Sequence, residues 1–292
     1  MTKITQNFSH WTTDNGKEFF PAPETYSKIE AAHYKVKYND FGYYLEIESE
    51  NKHSNKPTGK VLEKIIKELD EFWGSKQKYK KLNFIFKKGI LIHGTPGNGK
   101  GYILNEIIKD GVKKKRVVIE ITEPEDVQFF LPIIRKIEKD REFIFIIKNL
   151  GNMIDKAGIT IVSEMFNSLS NIENSVYIVT LNVIEKIKEI IYNCPSAFDN
   201  EIKVCSPTQT EREKFIKEKI ESFDVNKKIN VKKWAKDTNG FSVSNLKHLI
   251  ISVFLNDKDY EKKLKEISKN KDKLRIFSKP EGPLGFTFQQ SE

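Results

Sequence analysis

The sequence predicts an α/β protein with a three-layer, parallel-sheet core, a C-terminal α-helical lid and a small N-terminal α+β module. Three observations carry this. Short apolar runs at Gly89–His93, Val117–Ile121, Phe143–Ile147 and Val176–Thr180 read as buried strands. Helical stretches at Tyr102–Lys109, Val127–Glu138 and Ile159–Leu169 separate them. From Thr208 onward the pattern is helical. Strands alternating with helices give a parallel sheet covered on both faces, with right-handed crossovers.

Residues 1–58 form the leading module. Alternation at Val36, Tyr38, Tyr43, Leu45 and Ile47 suggests a hairpin turning near Asn39-Asp40. Glu50 to Gly59 is polar, contains Pro57, and reads as a linker. The core spans residues 59–207. Its first helix, Lys60–Trp73, buries a stripe of Val61, Leu62, Ile65, Leu69 and Phe72. The lid spans residues 208–270. Its first helix, Thr210–Phe223, opens with a capping box from Thr208 to Glu211. Helices at Val231–Thr238, Ser244–Leu255 and Tyr260–Ser268 follow, packed through Trp234 and Phe241. Residues 271–292, with Pro280-Glu281-Gly282-Pro283-Leu284-Gly285, read as an irregular tail.

Between the first core strand and its helix lies Gly94-Thr95-Pro96-Gly97-Asn98-Gly99-Lys100-Gly101. The phosphate-binding pattern is G-x-x-x-x-G-K followed by Ser or Thr. Seven positions fit, and the eighth is Gly101. The glycines let backbone N–H groups curl around phosphate oxygens, and the lysine reaches the β- and γ-phosphates. The missing hydroxyl is the one that holds Mg²⁺. Strand, glycine-rich loop and helix is the context the pattern requires. Gly94 to Gly101 and the adjoining Tyr102 are the candidate nucleotide-binding residues.

Composition narrows the classes. The chain has 292 residues, 38% of them hydrophobic, enough for a real core. No apolar stretch approaches the ~18 residues needed to span a bilayer, so no membrane partner is expected. Met1-Thr2-Lys3-Ile4-Thr5-Gln6 has no apolar signal core. Cys194 and Cys205 have no metal-ligand spacing around them, so reduced thiols and a cytoplasmic location are expected. The net charge is +9. Acids and lysines interleave through most of the chain, and aromatics are sparse in the basic stretches Lys113-Lys114-Lys115-Arg116 and Lys258 to Lys279. A nucleic-acid partner is therefore only weakly supported.

The order of these segments resembles the AAA+ ATPases over roughly residues 60 to 268. Lys87-Lys88-Gly89-Ile90-Leu91-Ile92-His93-Gly94 is similar to that family's lead-in to the loop. Val179-Thr180-Leu181-Asn182 is similar to its sensor-1 strand end, which implies that Asn182 contacts the γ-phosphate or the attacking water. Asn193-Cys194-Pro195-Ser196-Ala197-Phe198-Asp199 resembles the arginine-finger segment. Gly240-Phe241-Ser242 and Leu246 resemble the sensor-2 region. The departures are equally specific. Phe143-Ile144-Phe145-Ile146-Ile147 should end in Asp-Glu and ends in Lys148-Asn149. Cys194 and Ala197 stand where the two trans-acting arginines would be. Gly101, Lys148, Asn149, Cys194 and Ala197 are thus substituted catalytic positions, and no catalytic residue remains.

The resemblance implies ATP or ADP as ligand and ring partners, identical or different. With two metal ligands gone, Mg²⁺ is doubtful. Phosphoryl transfer rests on positioning and charge neutralisation, and a finger alone is worth roughly 10³–10⁵ in rate. A nucleotide-binding protein with little or no hydrolysis, acting as a structural or regulatory ring member, is the expectation. The alternatives are an active ATPase that remodels protein or nucleic-acid complexes, and a binding module that uses no nucleotide. For Lys148 three readings stand: its ammonium replaces Mg²⁺ beside the phosphates, it extends to solvent, or Glu120, Glu123, Glu125 or Asp126 supplies the acid instead. For Phe129 and Phe130 the core is favoured over a substrate-gripping loop. His93 reads as a spacer.

Overall fold

A computed structural model describes residues 9–13, 15–22, 28–40, 42–49, 60–221 and 229–277. The linker expected at 50–59 and residues 278–292 of the expected tail lie outside the described residues, whereas 271–277, read as irregular, continue the helix Tyr260–Phe277. The chain divides into two compact units, Met1–Cys205 and Ser206–Glu292.

The first unit is built on one nine-stranded sheet. In chain order its strands are β1 (His10–Thr12), β2 (Glu18–Ala22), β3 (His33–Asn39), β4 (Gly42–Ile47), β5 (Lys87–His93), β6 (Val117–Ile121), β7 (Phe143–Ile147), β8 (Ser175–Leu181) and β9 (Asn200–Lys203). In space they run β1-β2-β4-β3-β6-β7-β8-β5-β9. The five strands from β6 to β9 are mutually parallel. β6 and β7 are buried along their whole length, which is why β7 reads as a continuous apolar run and β6 as one broken only by Glu120.

Helices cover both faces of this sheet. On one face, α1 (Lys60–Trp73) and α3 (Lys100–Lys113) bury Ile65, Leu69, Leu104 and Ile107 against Ile90, Ile92, Ile144 and Ile178. The opposite face carries α4 (Leu131–Ile137), α5 (Leu150–Ala157), α6 (Ile159–Leu169) and α7 (Lys188–Asn193). They seat Ile134, Met153, Phe166 and Ile190 against Leu91, Phe145 and Val179. Strand neighbours alternate between the two clusters, as the two-residue period of a sheet demands.

The leading segment is an edge of this same sheet. The β3–β4 hairpin pairs Tyr38 with Tyr43 and Asn39 with Gly42, and β3 runs parallel to β6 with Lys35 opposite Glu120. Glu138, buried at the end of α4, accepts the Ile29 N–H at 3.0 Å and ties the segment down. Phe130 is fully buried, 6.0 Å from the Trp11 ring and 5.8 Å from the Tyr43 ring. Its neighbour Phe129 is 52% exposed, so the Phe-Phe pair is not core throughout. Both belong to a π-helical turn, Asp126–Phe130, which sets them on different sides.

The second unit holds α8 (Gln209–Glu221), α9 (Val231–Asp237), α10 (Val243–Phe254) and α11 (Tyr260–Phe277). Thr208 and Glu211 form the reciprocal box at the start of α8: the Thr208 N–H donates to Glu211 at 2.8 Å, and the Glu211 N–H to Thr208 Oγ1 at 3.4 Å. Trp234, Phe241, Leu246 and Ile250 fill its core. Ser242, in the segment similar to sensor 2, caps α10 by accepting the Asn245 N–H.

Candidate functional site

β5 delivers the chain to the phosphate-loop segment, and α3 leaves it. The crossover through α3 leads to β6 on one side of β5, and the connection from β8 leads to β9 on the other. The loop therefore lies beyond the C-terminal end of β5 at the point where connections diverge, the place where open α/β sheets bind ligands.

Two glycines are demanded by geometry. Gly94 has φ 143°, and a Cβ there would stand 2.1 Å from the Val204 carbonyl oxygen. Gly99, at φ 93°, turns the chain left-handed into α3. Thr95, Pro96 and Gly97 are exposed, and Asn98 is buried, with its side-chain amide 2.5 Å from Thr95 Oγ1. Lys100 folds back over the loop, donating to the Gly94 carbonyl at 2.5 Å and the Thr95 carbonyl at 3.1 Å. Burial lowers its pKa to about 8. Tyr102, half-buried, stands in the first turn of α3. An anion entering here would meet an ammonium poorly solvated by water and the N-terminus of a 14-residue helix. The residues present fit a phosphate.

The Gly94 N–H donates to the Leu181 carbonyl at 3.2 Å, which places Asn182 beside the start of the loop. Asn182 Nδ2 lies 3.0 Å from Asn149 Oδ1. Asn149 adopts the left-handed conformation, φ 59° and ψ 51°, and its N–H donates to Thr180 Oγ1 at 3.0 Å. The structure thus brings Lys100, Asn182 and Asn149 to one end of adjacent strands β5, β8 and β7.

Lys148 does not join them. Its ammonium is 2.5 Å from Glu120 Oε2, and His33 Nε2 is 3.6 Å from the same oxygen. β6, which carries Glu120, flanks β7 on the side away from β5. The pairing joins the lysine to β6, on the far side of β7 from β5, while its side chain remains 38% exposed. Burial raises the Glu120 pKa, but the nearby His33 ring, the Lys148 hydrogen bond and the charges of Lys148 and Lys35 outweigh it, and it falls to about 2. A carboxylate inside the otherwise apolar strand Val117–Ile121 is the sequence signal for this contact. Nothing in the pattern announces His33.

The other candidate acids are differently engaged. Asp126 is buried and accepts the N–H groups of Thr122 and Glu123 at 2.8 and 3.1 Å. Glu123 and Glu125 are exposed beyond β6. That strand is three spacings, about 14 Å, from β5. Gly101 supplies no hydroxyl, Lys148 is a cation and Asn149 an amide. Among the described residues no group of three or more His, Cys, Asp or Glu could hold a metal ion. The donor set does not fit Mg²⁺.

In the segment before β9, Cys194 and Ala197 pack inward, while Pro195, Ser196 and Asp199 are exposed. Cys194 is buried, with Sγ 3.1 Å from Asn167 Oδ1. Ala197 is fully buried, and its carbonyl accepts the Tyr177 hydroxyl. Asp199 accepts the Gly89 N–H at 2.7 Å and pairs with Lys87 at 3.3 Å. His93, 2.8 Å from Glu201, braces β9.

No family model and no curated protein matches the chain. A solved structure described as "Structural Basis for Katanin Self-Assembly" is similar to it at 19% identity and a TM-score of 0.44. The likeness covers 58% of this chain, which in turn spans 58% of that one. A likeness at this level carries no statement about ligand, activity or assembly.

Proposed function

We propose that the chain binds ATP or ADP through Gly94–Gly101, turns it over little or not at all, and serves as a structural or regulatory member of a cytoplasmic ring or complex. One observation carries this reading. A loop that fits the phosphate-binding pattern at seven of eight positions, with a half-buried lysine, lies beside strand ends that carry Lys148 and Asn149 in place of acids. Lys148 is paired with Glu120, and the Asn149 amide is held by Asn182. An amide cannot take a proton from water, so general-base help, ordinarily worth about 10²–10⁴, is absent.

Lys100 and the loop N–H groups supply the phosphate contacts. Asn182 orients the terminal phosphate. The ATP base and the ring rest on the resemblance to AAA+ proteins. The test is a fluorescent-nucleotide titration of the wild type and Lys100→Ala. Saturable binding lost in the variant supports the reading. Equal affinity in both proteins contradicts it.

A further inference from the structure

The segment Lys76-Gln77-Lys78-Tyr79-Lys80-Lys81-Leu82-Asn83-Phe84-Ile85 leads from α1 to β5, its first six residues forming the short helix α2 (Lys76–Lys81). From Gly74 to Phe86 it contains no acid. Lys76, Lys78, Lys80 and Lys81 are all exposed. Beyond them Leu82 and Phe84 are each 66% exposed and Ile85 40%. Large apolar side chains clustered in the open are the exception on a soluble surface and mark a site of interaction.

The tip is held in place. Phe86 stacks on Phe72 at 4.3 Å and meets Tyr79 edge-on at 5.2 Å. The Phe84 N–H donates to the Tyr79 carbonyl at 3.0 Å. Asn83 takes a left-handed conformation at φ 56°. The aromatic cluster that could have sheltered Leu82 and Phe84 is filled by Phe72, Trp73, Tyr79 and Phe86 instead. Lys87 and Lys88 are paired with Asp199 and Glu68, so the uncompensated charge belongs to the tip.

We propose that Lys76–Ile85 is a peripheral docking site for a bilayer containing anionic phospholipid. The apolar side chains enter the boundary between headgroups and acyl chains while the lysines meet the lipid phosphates. An exposed, acid-free, basic segment suits a flat, deformable anionic surface. The site lies at the start of β5, a strand length of about 20 Å from the phosphate loop at its other end, so docking leaves the loop free. Among the described residues no helix is long and apolar enough to cross a membrane. The expectation of no membrane partner rested on spanning length, which a surface anchor does not need.

The experiment is co-sedimentation of the full chain with phosphatidylcholine vesicles, with and without phosphatidylserine. The wild type should sediment only with the phosphatidylserine vesicles. Raising the salt from about 0.1 M to 0.5 M should release it. Leu82→Ser/Phe84→Ser should lose at least about tenfold in partitioning. Lys78→Glu/Lys80→Glu should lose more than the roughly fivefold per removed lysine, because each charge is reversed. All four residues are exposed, and unchanged thermal melts verify that both variants fold. Several results overturn the proposal: no sedimentation of the wild type at low salt, equal sedimentation with both vesicle types, or variants that sediment like the wild type. Self-association of the wild type that Phe84→Ser abolishes, without vesicle binding, also overturns it and makes this face an interface between copies. Capture by polyglutamate but not by vesicles overturns it in favour of an acidic protein partner.

Discussion

The Lys148 ammonium lies 2.5 Å from the Glu120 carboxylate, across the gap between two adjacent parallel strands. That contact ties the end of β7 to β6, the neighbour on the side away from β5. Its strength is readable in pH. The Glu120 carboxyl has an ordinary value of 4.5; burial raises it, and the nearby His33 ring and the Lys148 ion pair bring it down to about 2. A carboxylate whose value falls on folding stabilises fully above about pH 4.5 and loses that contribution as pH drops toward 2. Glu120→Gln should therefore melt below the wild type near neutral pH, by on the order of 2 kcal/mol. The gap between the two should close as pH falls through this window. Paired thermal melts measure it.

Lys100 makes the opposite kind of prediction, for binding. Burial holds its pKa near 8, and a bound phosphate favours the charged form. Below about pH 8 the free protein already carries the charge. Above it, affinity should fall by up to about tenfold per pH unit until the bound form also titrates. Isothermal titration between pH 7 and 10 follows this, and a flat profile would mean that Lys100 does not face the ligand.

Gly101 can be changed without disturbing the fold. A Cβ there would meet nothing within 4 Å. Gly101→Thr should alter stability by less than about 1 kcal/mol. It should not create a metal requirement, because Asn149 beside Asn182 supplies an amide and no carboxylate. Titrations of the wild type and the variant with and without Mg²⁺ check this, and affinity that appears only with Mg²⁺ would contradict it.

Ala197 is the reverse case. It is fully buried, its carbonyl accepts the Tyr177 hydroxyl, and a Cβ on Gly89 would stand 2.0 Å from it. Ala197→Arg should cost about 3 kcal/mol or more and should not rescue hydrolysis in any mixture with an active partner. Denaturant unfolding gives the first figure, and phosphate release gives the second.

The core strands were legible because buried parallel strands are near-continuous apolar runs. Val117–Ile121 and Phe143–Ile147 appear with the bounds their sequence suggests. β9 was not legible: Asn200–Lys203 is polar and only half-covered, and it becomes a strand by pairing with β5. β1 and β2 are short and carry no alternation long enough to read. The hairpin was visible locally, but its place in the sheet was not, because β3 meets β6 across most of a hundred intervening residues. The same distance hid the site's wiring. The loop could be found by pattern, whereas Lys148 with Glu120, and Asn149 with Asn182, depend on strand order.

Nucleotide affinity and phosphate release, followed together in Mg²⁺ and again in EDTA, test the central claim most directly. The arrangement of Lys100, Asn149 and Asn182, with no carboxylate among them, predicts binding that survives EDTA, with negligible phosphate release in either condition. Sustained phosphate release in Mg²⁺ that Lys100→Ala abolishes would contradict it, and would mean that another carboxylate reaches the phosphate loop.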